Sequence, residues 1–437
     1  MDSFYNLLKK IQTKKAKIGI IGQGYVGLPL AICFAKKGFQ VTGLEIDSKK
    51  VKAINQGKSY LEGMGIEKDL QNVVKKGFLK ATDKIITGCK EQGAIIICVQ
   101  TPVTAQHRPD FGFLKQAALD IAASKPLGKL IINESTVAPS TTESVVGAII
   151  EKKSGLKAGR DFFLGCSPER INPGDFEHQV ENTPKIVSGL EKKDLQLVKA
   201  LYSSVIRAPL IPVSSLAAAE ASKILENCFR AVNIALVNEL AKFCQKTDLD
   251  ILEIIEAAKS KWSFLAHYPG IGVGGHCIPV DPYYLLEEAA KREVSLSVLE
   301  KAMAENESMP GYVLSLLAKN YSPKSSILVY GLTYKKGVKD MRESPALAFC
   351  KLLKQKNYQF EVYDPLFSVK EIQNYGLKPC RKLKRFDFLV VATDHQALAK
   401  DALKIIGKKT IIIDGRNFFK KNLGQKTIGV GRGEVNA

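Results

Sequence analysis

The sequence predicts an α/β protein, and three observations support this fold class. Short apolar strands alternate with amphipathic helices over residues 17–205. A second alternation of the same kind begins after residue 309. Between the two, a helical pattern runs from Ser215 to about Lys246 without Gly or Pro. Because strands that alternate with helices form parallel sheets covered on both faces, we predict two Rossmann-like, doubly wound domains joined by a long central helix.

These patterns divide the chain into three expected domains, and its 437 residues are enough for all three. Residues 1–205 form the first α/β domain. Residues 206–308 form a central helical domain that contains the long connecting helix. Residues 309–437 form the second α/β domain.

The composition is that of an ordinary globular protein, with 45% hydrophobic and 25% charged residues. The net charge is +20, but Lys and Arg are spread along the whole chain, without a basic arm or an aromatic-basic helix. We therefore expect no nucleic-acid partner. The surplus positive charge would instead attract an anionic substrate.

Neither a membrane span nor a metal site is expected. No apolar run reaches about 18 residues, and Met1–Lys17 lacks the apolar core of a secretory signal. The nine cysteines are scattered without a CxxC pair, and no two of the five histidines have ligand-like helical spacing. Reduced thiols of this kind are typical of a cytoplasmic protein.

A glycine-rich turn follows the first predicted strand. Lys17–Ile21 has the pattern of a buried strand and Leu28–Lys37 that of a helix, with Gly22, Gly24 and Gly27 between them. The first glycine permits a tight turn, the second lets a pyrophosphate approach the backbone, and the third lets helix and strand pack closely. The helix N-terminus offers N–H groups to phosphate. The alternative is a tightly packed helix start that binds nothing.

The next strand ends at Glu45, about 20 residues after the glycines, where an acid hydrogen-bonds the adenosine ribose hydroxyls. Its charge repels a 2′-phosphate, so we predict NAD rather than NADP as the cofactor. Lys49 and Lys50 weaken this preference a little. Tyr25 and Val26, in the glycine-rich turn, belong to the same predicted cofactor site.

Polar residues follow the later strands of the first α/β domain. Thr101 and Thr136 each lie at the carboxyl end of a predicted strand. Since ligands of doubly wound sheets bind at the carboxyl ends of strands, both threonines are expected to contact the cofactor. Glu169 and Arg170 lie in a polar turn after a further strand.

Cys277 lies in a glycine-rich loop, Pro269–Pro282, with His276 beside it and Asp281 four residues on. A ligand can approach a thiol closely in such a loop, and nearby polar groups can tune its ionisation. A structural turn that happens to hold a cysteine is the alternative. The dinucleotide motif favours the catalytic interpretation, because it supplies a hydride acceptor.

The second α/β domain lacks the glycine fingerprint at its first turn, Gly331–Lys335. Lys335 and Arg342 lie near that turn instead, which favours a nucleotide diphosphate of another kind, bound by side-chain charges. On the central helix, Lys223 and Asn227 lie on one face at i, i+4 spacing. Small residues around 218–222 would let a ligand approach that face.

With these motifs in hand, the chain resembles the UDP-glucose/GDP-mannose dehydrogenase family over nearly its full length. The stretches that carry the resemblance are IGIIGQGYVGLPLA, CVQTP, NESTVAPSTT, SPERINPGD, AEASKILENCFRAVNIALVNELA, GVGGHCIPVDPYYL, GLTYKKGVKDMRESPAL and VVATDH. The resemblance implies oxidation of C6 of a nucleotide-bound sugar from alcohol to acid, with two NAD per turnover. It also implies a homodimer through the long central helix.

The resemblance further implies roles for individual residues. Cys277 would be the nucleophile, and Glu169 would handle the proton of the water that hydrolyses a thioester. Lys223 and Asn227 would stabilise the oxyanion and hold the sugar. Asp281 would order water near the thiol, and Thr136 would position a water or the nicotinamide.

The binding residues follow from the same resemblance. Tyr334 and Lys335, together with Arg170 and Gly274, would contact the UDP-sugar. Arg342 would contact the cofactor, and Lys50 would assist Glu45 near the adenosine.

The chain departs from the family pattern at several positions. Gln100 stands where many members have Pro, Glu45 replaces the usual Asp, and His276 precedes the cysteine where the UDP-glucose branch often has Ser. His276 and the Ser-Pro-Glu-Arg stretch are more similar to members that act on UDP-N-acetylglucosamine or UDP-N-acetylmannosamine. UDP-glucose oxidation, a two-electron hydroxyacid or 6-phosphogluconate-type dehydrogenase, and a non-enzymatic NAD sensor remain the alternatives.

Overall fold

A computed structural model describes residues 3–61, 64–104, 106–170, 177, 179–247, 249–420, 424–432 and 434–435. The chain forms two compact units. The N-terminal unit comprises Met1–Glu226 and Tyr283–Arg292, and the C-terminal unit comprises Asn227–Pro282 and Glu293–Ala437.

The described part of the N-terminal unit contains an eight-stranded sheet. Its strands are β1 (Ile18–Ile21), β2 (Val41–Leu44), β3 (Leu79–Thr82), β4 (Ala94–Ile97), β5 (Leu130–Asn133), β6 (Phe163–Cys166), β7 (Lys185–Gly189) and β8 (Leu210–Pro212). Their order is β3-β2-β1-β4-β5-β6-β7-β8. All neighbouring pairs are parallel except β6 and β7. The first six strands therefore have the order of a dinucleotide-binding sheet.

Helices cover both faces of this sheet because its central strands are apolar on both sides. Ile96 and Ile132 join one buried cluster, whereas Ile95 and Ile131 join another. Side chains alternate between the faces of a strand, so a run such as Ala94–Ile97 buries residues on both. This is the burial pattern of a doubly wound parallel sheet.

The C-terminal unit contains, among its described residues, a six-stranded sheet. Its strands are β9 (Ile327–Tyr330), β10 (Phe360–Tyr363), β11 (Phe388–Val391), β12 (Ile411–Asp414), β13 (Thr427–Gly429) and β14 (Glu434–Val435). Their order is β10-β9-β11-β12-β13-β14, parallel except for the last pair. Leu328 and Leu389 pack on one face, and Val329 and Val390 on the other.

The helices alternate with the strands along the chain. They are α1 (Ser3–Gln12), α2 (Gly27–Lys36), α3 (Ser48–Asn55), α4 (Glu67–Lys75), α5 (Ile85–Lys90), α6 (Gly112–Ala123), α7 (Ala148–Ser154), α8 (Lys192–Ser203), α9 (Leu216–Thr247), α10 (Ile251–Ala258), α11 (Asp281–Lys291), α12 (Ser297–Ala318), α13 (Pro345–Gln355), α14 (Val369–Asn374) and α15 (Leu398–Ile405). A π-helical segment, Thr142–Gly147, leads directly into α7.

Helix α9 is the long helix predicted between residues 215 and 246. It has 32 residues, and the boundary between the two units falls within it, after Glu226. At 1.5 Å per residue it is about 48 Å long. The predicted fold class, two Rossmann-like domains joined by a long central helix, is confirmed. The predicted division into three domains stays a prediction.

None of the helices in the described ranges is both long and apolar enough to cross a membrane.

Candidate active site

The glycine-rich turn has the geometry of a dinucleotide cradle. Gly22 has φ +89°, and a Cβ atom there would lie 2.5 Å from the Cys98 carbonyl oxygen. A Cβ atom at Gly27 would lie 1.9 Å from the Gly22 carbonyl oxygen. At Gly24, by contrast, a Cβ atom would meet no heavy atom within 4 Å. Gly22 and Gly27 thus allow neighbouring backbone segments to pack closely, and Gly24 leaves open space where a pyrophosphate can approach.

Helix α2 begins at Gly27, directly after Tyr25 and Val26. The amides of its first turn have no carbonyl partner within the helix, and the helix dipole places positive charge at this end. The predicted cofactor residues Tyr25 and Val26 therefore lie beside a helix terminus of the kind that favours phosphate, and their contact with the cofactor stays a prediction.

Glu45 follows β2 and is buried. Its Oε2 accepts a hydrogen bond from the Gln23 amide at 3.0 Å, and its Oε1 accepts one from the Asp47 amide at 3.1 Å. Each carboxylate oxygen has a second lone-pair site, so both can still accept from ribose hydroxyls. Lys50 Nζ lies 3.7 Å from Glu45 Oε2. The open glycine and this remaining acceptor capacity fit NAD.

Tyr60 is a neighbour of this site that the sequence did not reveal. Its hydroxyl donates to the Gln23 carbonyl, and the Lys50 ammonium lies 5.7 Å from its ring centroid. Burial, together with the charge of Glu45, raises the pKa of Tyr60. The hydroxyl therefore stays protonated and can act as a donor that fixes the glycine-rich turn.

Thr101 and Thr136, predicted from strand ends, lie together. Thr101 Oγ1 donates to the Thr136 carbonyl oxygen at 2.7 Å, which holds the turns after β4 and β5 side by side. The Thr101 carbonyl accepts a hydrogen bond from the Tyr284 hydroxyl. The contact of both threonines with the cofactor stays a prediction.

Glu169 belongs to a buried ionic cluster that we call the Glu169 cluster, comprising Glu134, Glu169, Lys185 and Tyr202. Lys185 Nζ lies 3.1 Å from Glu134 Oε2 and 3.3 Å from Glu169 Oε2. The Tyr202 hydroxyl donates to Glu134 Oε1. The side chains of Lys185, Glu134 and Glu169 are only 6%, 0% and 10% exposed. Sequence reasoning found Glu169 but missed the other three residues.

Burial and pairing act in opposite directions within the Glu169 cluster. Burial raises the pKa of Glu134 to about 7, although the Lys185 ammonium lowers it. Burial also disfavours the charged form of Lys185, but the carboxylates of Glu134 and Glu169 outweigh it and raise the pKa of Lys185. Lys185 is therefore charged at neutral pH, while Glu134 can take up or release a proton there.

Arg170 and Lys223 belong to the N-terminal unit. The Arg170 guanidinium pairs with Glu226 Oε1 at 2.7 Å and donates to the Pro184 carbonyl at 3.0 Å. Lys223 is half-buried on α9. One turn earlier, the buried Glu220 carboxylate accepts from backbone amides in the segment 140–142, which fixes the start of α9 against that segment.

Asn227 and Asp281 are both buried and contact each other in the C-terminal unit. Asn227 Nδ2 donates to Asp281 Oδ2 at 2.5 Å. The Asp281 amide in turn donates to the Cys277 carbonyl at 2.8 Å. These contacts connect α9 to the loop of the predicted nucleophile through the first residue of α11.

Cys277 differs from the other eight cysteines. It is partly exposed, as is Cys98, and its Sγ lies 3.7 Å from His276 Nδ1. Burial raises the pKa of each of the other eight thiols. Because the thiolate is the nucleophilic form, those eight are poor candidates for covalent chemistry, and Cys277 is the candidate that remains.

The backbone of the Cys277 loop is fixed at several points. Gly272 and Gly275 have φ values of +138° and +86°. The Gly270 amide donates to Asn238 Oδ1 at 3.1 Å, and the Gly275 amide donates to the Arg342 carbonyl at 3.0 Å. The loop is therefore held from α9 and from the turn after β9.

Tyr334 packs against the glycines of that loop. A Cβ atom at Gly274 would lie 2.6 Å from Tyr334 Cβ, and one at Gly275 would lie 2.9 Å from Tyr334 Cε2. The predicted substrate residues Gly274 and Tyr334 thus lie together, with Lys335 next in sequence. Arg342 forms a two-pronged ion pair with Asp340 in its own loop. Partial burial raises the pKa of the Asp340 carboxyl, but Arg342 outweighs this effect and holds the pKa below its usual value.

Arg416 is a partly buried residue that the sequence reasoning missed. It donates to the Ala392 carbonyl at 3.0 Å and to the Tyr334 carbonyl at 3.3 Å, and burial lowers its pKa. It joins the turns after β11 and β12 to the turn after β9. The sequence signal that could have found Arg416 is its position, two residues after Asp414, where a predicted strand ends.

No group of three or more His, Cys, Asp or Glu side chains that could hold a metal ion occurs within the described ranges.

Comparison with protein-family models identifies the chain along most of its length. Residues 16–206 match the NAD binding domain of the UDP-glucose/GDP-mannose dehydrogenase family, residues 217–308 its central domain and residues 328–421 its UDP binding domain. The chain belongs to the UDP-glucose/GDP-mannose dehydrogenase family. It is an NAD-dependent oxidoreductase of the nucleotide-sugar dehydrogenase type, and the predicted cofactor, NAD, is confirmed.

Individual relatives cover nearly the whole chain. It is 36% identical to a UDP-N-acetyl-D-mannosamine dehydrogenase from Pyrococcus horikoshii, over 96% of this chain and 100% of the relative. It is 35% identical to a UDP-N-acetyl-D-glucosamine 6-dehydrogenase from Salmonella typhi, over 87% and 90% of the two chains. Among solved structures, a UDP-D-ManNAc dehydrogenase from Pyrococcus horikoshii matches with a TM-score of 0.87 and 35% identity, covering 96% of this chain and 100% of the other.

Proposed function

We propose that this chain is a UDP-sugar 6-dehydrogenase that oxidises the C6 alcohol of UDP-N-acetylglucosamine or UDP-N-acetylmannosamine to the carboxylate, using two NAD per sugar. The observation that carries the proposal is the partly exposed thiol of Cys277 beside His276, in a chain where burial raises the pKa of the other eight thiols. Relatives named for each of the two sugars support the substrate class.

Bound NAD supplies a hydride acceptor for each of the two oxidation steps. In the first step C6 loses a hydride, its hydroxyl loses a proton, and an aldehyde forms. The Cys277 sulfur then bonds to that carbon and the oxygen gains a proton, which gives a thiohemiacetal. Loss of a second hydride and a proton gives a thioester. Covalent capture thus keeps the aldehyde on the enzyme between the two oxidations.

Hydrolysis releases the product. A water oxygen bonds to the thioester carbon, its proton passes to Glu169, the carbon–sulfur bond breaks, and Cys277 is restored. The Lys185 ammonium, 3.3 Å from Glu169 Oε2, favours the ionised carboxylate that a general base requires. The Lys223 ammonium and the Asn227 amide stabilise the oxyanion. Asp281 orients Asn227 for this role through their 2.5 Å hydrogen bond.

Substrate binding is proposed for the turn after β9. Tyr334 and Lys335 contact the UDP-sugar, with Lys335 as a point charge for the diphosphate. Gly274 admits the substrate beside Tyr334, and Arg170 contributes from the N-terminal unit. Arg342 contacts the cofactor. The match of residues 328–421 to a UDP binding domain supports the UDP part of this proposal.

The stoichiometry of NADH formation tests the reaction. With limiting UDP-N-acetylglucosamine or UDP-N-acetylmannosamine, two NADH per sugar are expected, read as absorbance at the end point. One NADH per sugar would contradict the four-electron reaction and favour a two-electron dehydrogenase. A parallel assay with UDP-glucose tests the remaining substrate within the same class.

The thiol is tested by substitution with a matched control. Cys277→Ala should abolish acid formation, and Cys277→Ser should stall at a covalent or aldehyde-level species visible by mass spectrometry. Cys380→Ser is the control, because Cys380 is buried and its thiol donates to the Lys382 carbonyl, which a serine hydroxyl can also do. Full NADH yield from Cys277→Ala would contradict the proposal.

We also propose a cytoplasmic homodimer through α9. Five large apolar side chains of this helix are exposed: Leu225, Phe229, Leu236, Leu240 and Phe243. Their spacing of three, four and seven residues forms one stripe along a helix. Leu236→Glu should yield monomers in light scattering, whereas Leu403→Glu, the same change at an exposed leucine of α15, should not. A dimer that survives Leu236→Glu would contradict this interface.

A further inference from the structure

His395 is a buried histidine beside the segment 333–337 of the C-terminal unit, which we call the β9 turn. The chain passes from β9 to β10 on one side and then to β11 on the other side, so the strand order reverses between β9 and β11. Ligands of doubly wound sheets bind at the carboxyl ends of the strands, at such a reversal. His395 follows one of these two strands, and the β9 turn follows the other.

The two ring nitrogens of His395 have different partners. Nδ1 accepts a hydrogen bond from the Gly337 amide at 3.3 Å. A protonated imidazole has no acceptor, so the ring is neutral and its proton lies on Nε2. Nε2 donates to Asp364 Oδ2 and lies equally close to Thr333 Oγ1, at 3.1 Å in both cases. The ring thus joins a buried carboxylate to a backbone amide of the β9 turn.

The first residues of the β9 turn are anchored in the sheet. Thr393 Oγ1 donates to the Thr333 carbonyl at 2.5 Å, and Thr333 Oγ1 donates to the Lys335 carbonyl at 2.9 Å. Both threonines are fully buried, whereas Gly337 is exposed. His395 therefore holds the exposed end of a turn whose other end is fixed by buried hydroxyls.

The bond to Gly337 limits the freedom of the β9 turn. Gly337 has φ +71°, and a Cβ atom there would meet no heavy atom within 4 Å, so packing does not fix this residue. Water can satisfy an exposed amide, and the bond to a buried ring therefore serves to position the turn. Lys335, two residues earlier, carries the charge proposed for the diphosphate. A turn that is fixed before the ligand arrives loses less entropy on binding.

We propose that His395 is a positioning residue that holds the β9 turn, and with it Lys335, in the conformation that binds the diphosphate of UDP. The inference rests on the proposed function for the identity of the ligand. The match of residues 328–421 to a UDP binding domain supports that ligand. Thr333 acts together with His395, because its hydroxyl lies between the ring and the Lys335 carbonyl.

The test is a calorimetric titration of the full-length chain with UDP alone. His395→Gln keeps a donor that can reach Asp364 but places no acceptor where Nδ1 lies, so the Gly337 amide loses its partner. UDP should bind about tenfold more weakly, the size of one hydrogen bond, while the affinity for NAD does not change. A folded His395→Gln variant with unchanged affinity for UDP would overturn the proposal.

Thr333→Val and Thr410→Val provide a matched pair, since both remove a buried hydroxyl from the same unit. Thr333 belongs to the β9 turn, whereas Thr410 precedes β12 at the amino edge of the sheet and donates to the Phe386 carbonyl. UDP should bind about threefold more weakly to Thr333→Val and with unchanged affinity to Thr410→Val. Equal weakening in both variants would overturn the proposal, because UDP affinity would then follow the stability of the sheet. This pair decides the question if His395→Gln does not fold.

Hydrogen exchange separates this proposal from the proposed function. Measured by mass spectrometry without ligand, the β9 turn should exchange faster in His395→Gln but not in Thr410→Val, and unchanged exchange in His395→Gln would overturn the proposal. A chain that binds no UDP would contradict the proposed function, yet faster exchange in His395→Gln would still show that His395 holds the turn. In turnover, His395→Gln should raise KM for the UDP-sugar and leave kcat unchanged. A merely structural role would lower stability without this split.

Discussion

The two sheets begin with the same local geometry and use it differently. Gly22 after β1 and Gly331 after β9 both have φ +89°. The amide of each donates to the last residue of the neighbouring strand, Leu44 or Tyr363, at 2.8 Å. An acid follows that strand in both units and accepts from the turn: Glu45 in the first, Asp364 in the second.

The difference lies in what the acid can still bind. Glu45 accepts one backbone amide on each oxygen and faces Lys50. Asp364 Oδ2 accepts the Leu332 and Thr333 amides and contacts His395 Nε2, while its Oδ1 accepts the Leu366 amide. His395 Nδ1 accepts the Gly337 amide, so its Nε2 carries the proton and donates. One acid thus remains available to a ribose, and the other fixes a loop.

The two units also differ in how soon a helix follows the glycine turn. Helix α2 begins five residues after Gly22, whereas α13 begins only at Pro345, after the loop that carries Lys335 and Arg342. A short turn presents backbone amides and a helix dipole to phosphate. A long loop presents side-chain charges. The same strand–turn–acid arrangement is therefore followed by a short turn that presents amides in the N-terminal unit and by a long loop that presents charged side chains in the C-terminal unit.

The largest effect that would test this comparison is expected at Gly27. Gly27→Ala places a Cβ atom 1.9 Å from the Gly22 carbonyl, against backbone that cannot move without displacing Cys98. The free energy of unfolding should fall by about 3 kcal/mol or more. Gly24→Ala meets nothing within 4 Å and should leave stability unchanged while weakening NAD. Denaturant unfolding measures the stability of both variants, and calorimetry measures their affinity for NAD. Equal effects of both variants on stability would show that Gly24 is also a packing residue.

The sequence was informative about these turns because the contacts that define them are local. The strand, the glycine turn, helix α2 and Glu45 lie within one short stretch, and the predicted helix 28–37 ends within one residue of the observed α2. The Cys277 loop was also recognisable from its own glycines and cysteine, and the role of its thiol stays a prediction.

The rest of the site depends on contacts between residues far apart in sequence. Lys185 reaches Glu134 across 51 positions, and Tyr202 reaches it across 68. Asn238 holds Gly270 across 32 positions, and Arg416 holds Tyr334 across 82. Nothing in the local pattern of a single strand or helix specifies such a pairing, because tertiary packing decides it.

A second test concerns the acid of the C-terminal unit. Asp364→Asn leaves amide donors facing donors in a buried site and breaks the pair with His395. The free energy of unfolding should fall by about 3 kcal/mol, because a buried donor that faced the carboxylate is left without an acceptor. Glu45→Gln, with fewer donors around it, should cost about 1 kcal/mol. Urea unfolding measures the free energy of unfolding of both variants. If Asp364→Asn is as mild as Glu45→Gln, Asp364 does not have the fixing role assigned to it.

A third test uses pH, with opposite signs in the two units. Burial raises the pKa values of Glu134 and Glu220 to about 7 in the N-terminal unit. A raised carboxyl pKa stabilises the fold fully below its unfolded value, near 4.5, and this stabilisation is lost as pH rises through about 7. The loss should be about 3 kcal/mol per carboxyl, because each pKa unit corresponds to about 1.4 kcal/mol.

Asp364 has the opposite linkage. Burial alone would raise its pKa, but the hydrogen bond from His395 and the backbone donors lower it, so its stabilising effect is lost only as pH falls through that lowered value. Hydrogen exchange, corrected for intrinsic rates, should show β5 and the start of α9 losing protection between pH 5 and 7.5 while β9 and β10 do not. Glu134→Gln and Glu220→Gln should flatten the response. A parallel loss in both sheets would contradict the assignment.

The smallest expected effect concerns cofactor choice at Glu45. Glu45→Gln removes the charge that repels a 2′-phosphate and leaves Lys50, now 3.7 Å from a neutral amide, able to pair with that phosphate. NAD affinity should fall about tenfold, the equivalent of one hydrogen bond to a charged group, and NADP affinity should rise. Lys50→Met in the same background should abolish the gain for NADP but not change the loss for NAD. Calorimetric titration of both cofactors measures these differences. An unchanged ratio would mean that Glu45 holds the turn through Gln23 but does not contact the ribose.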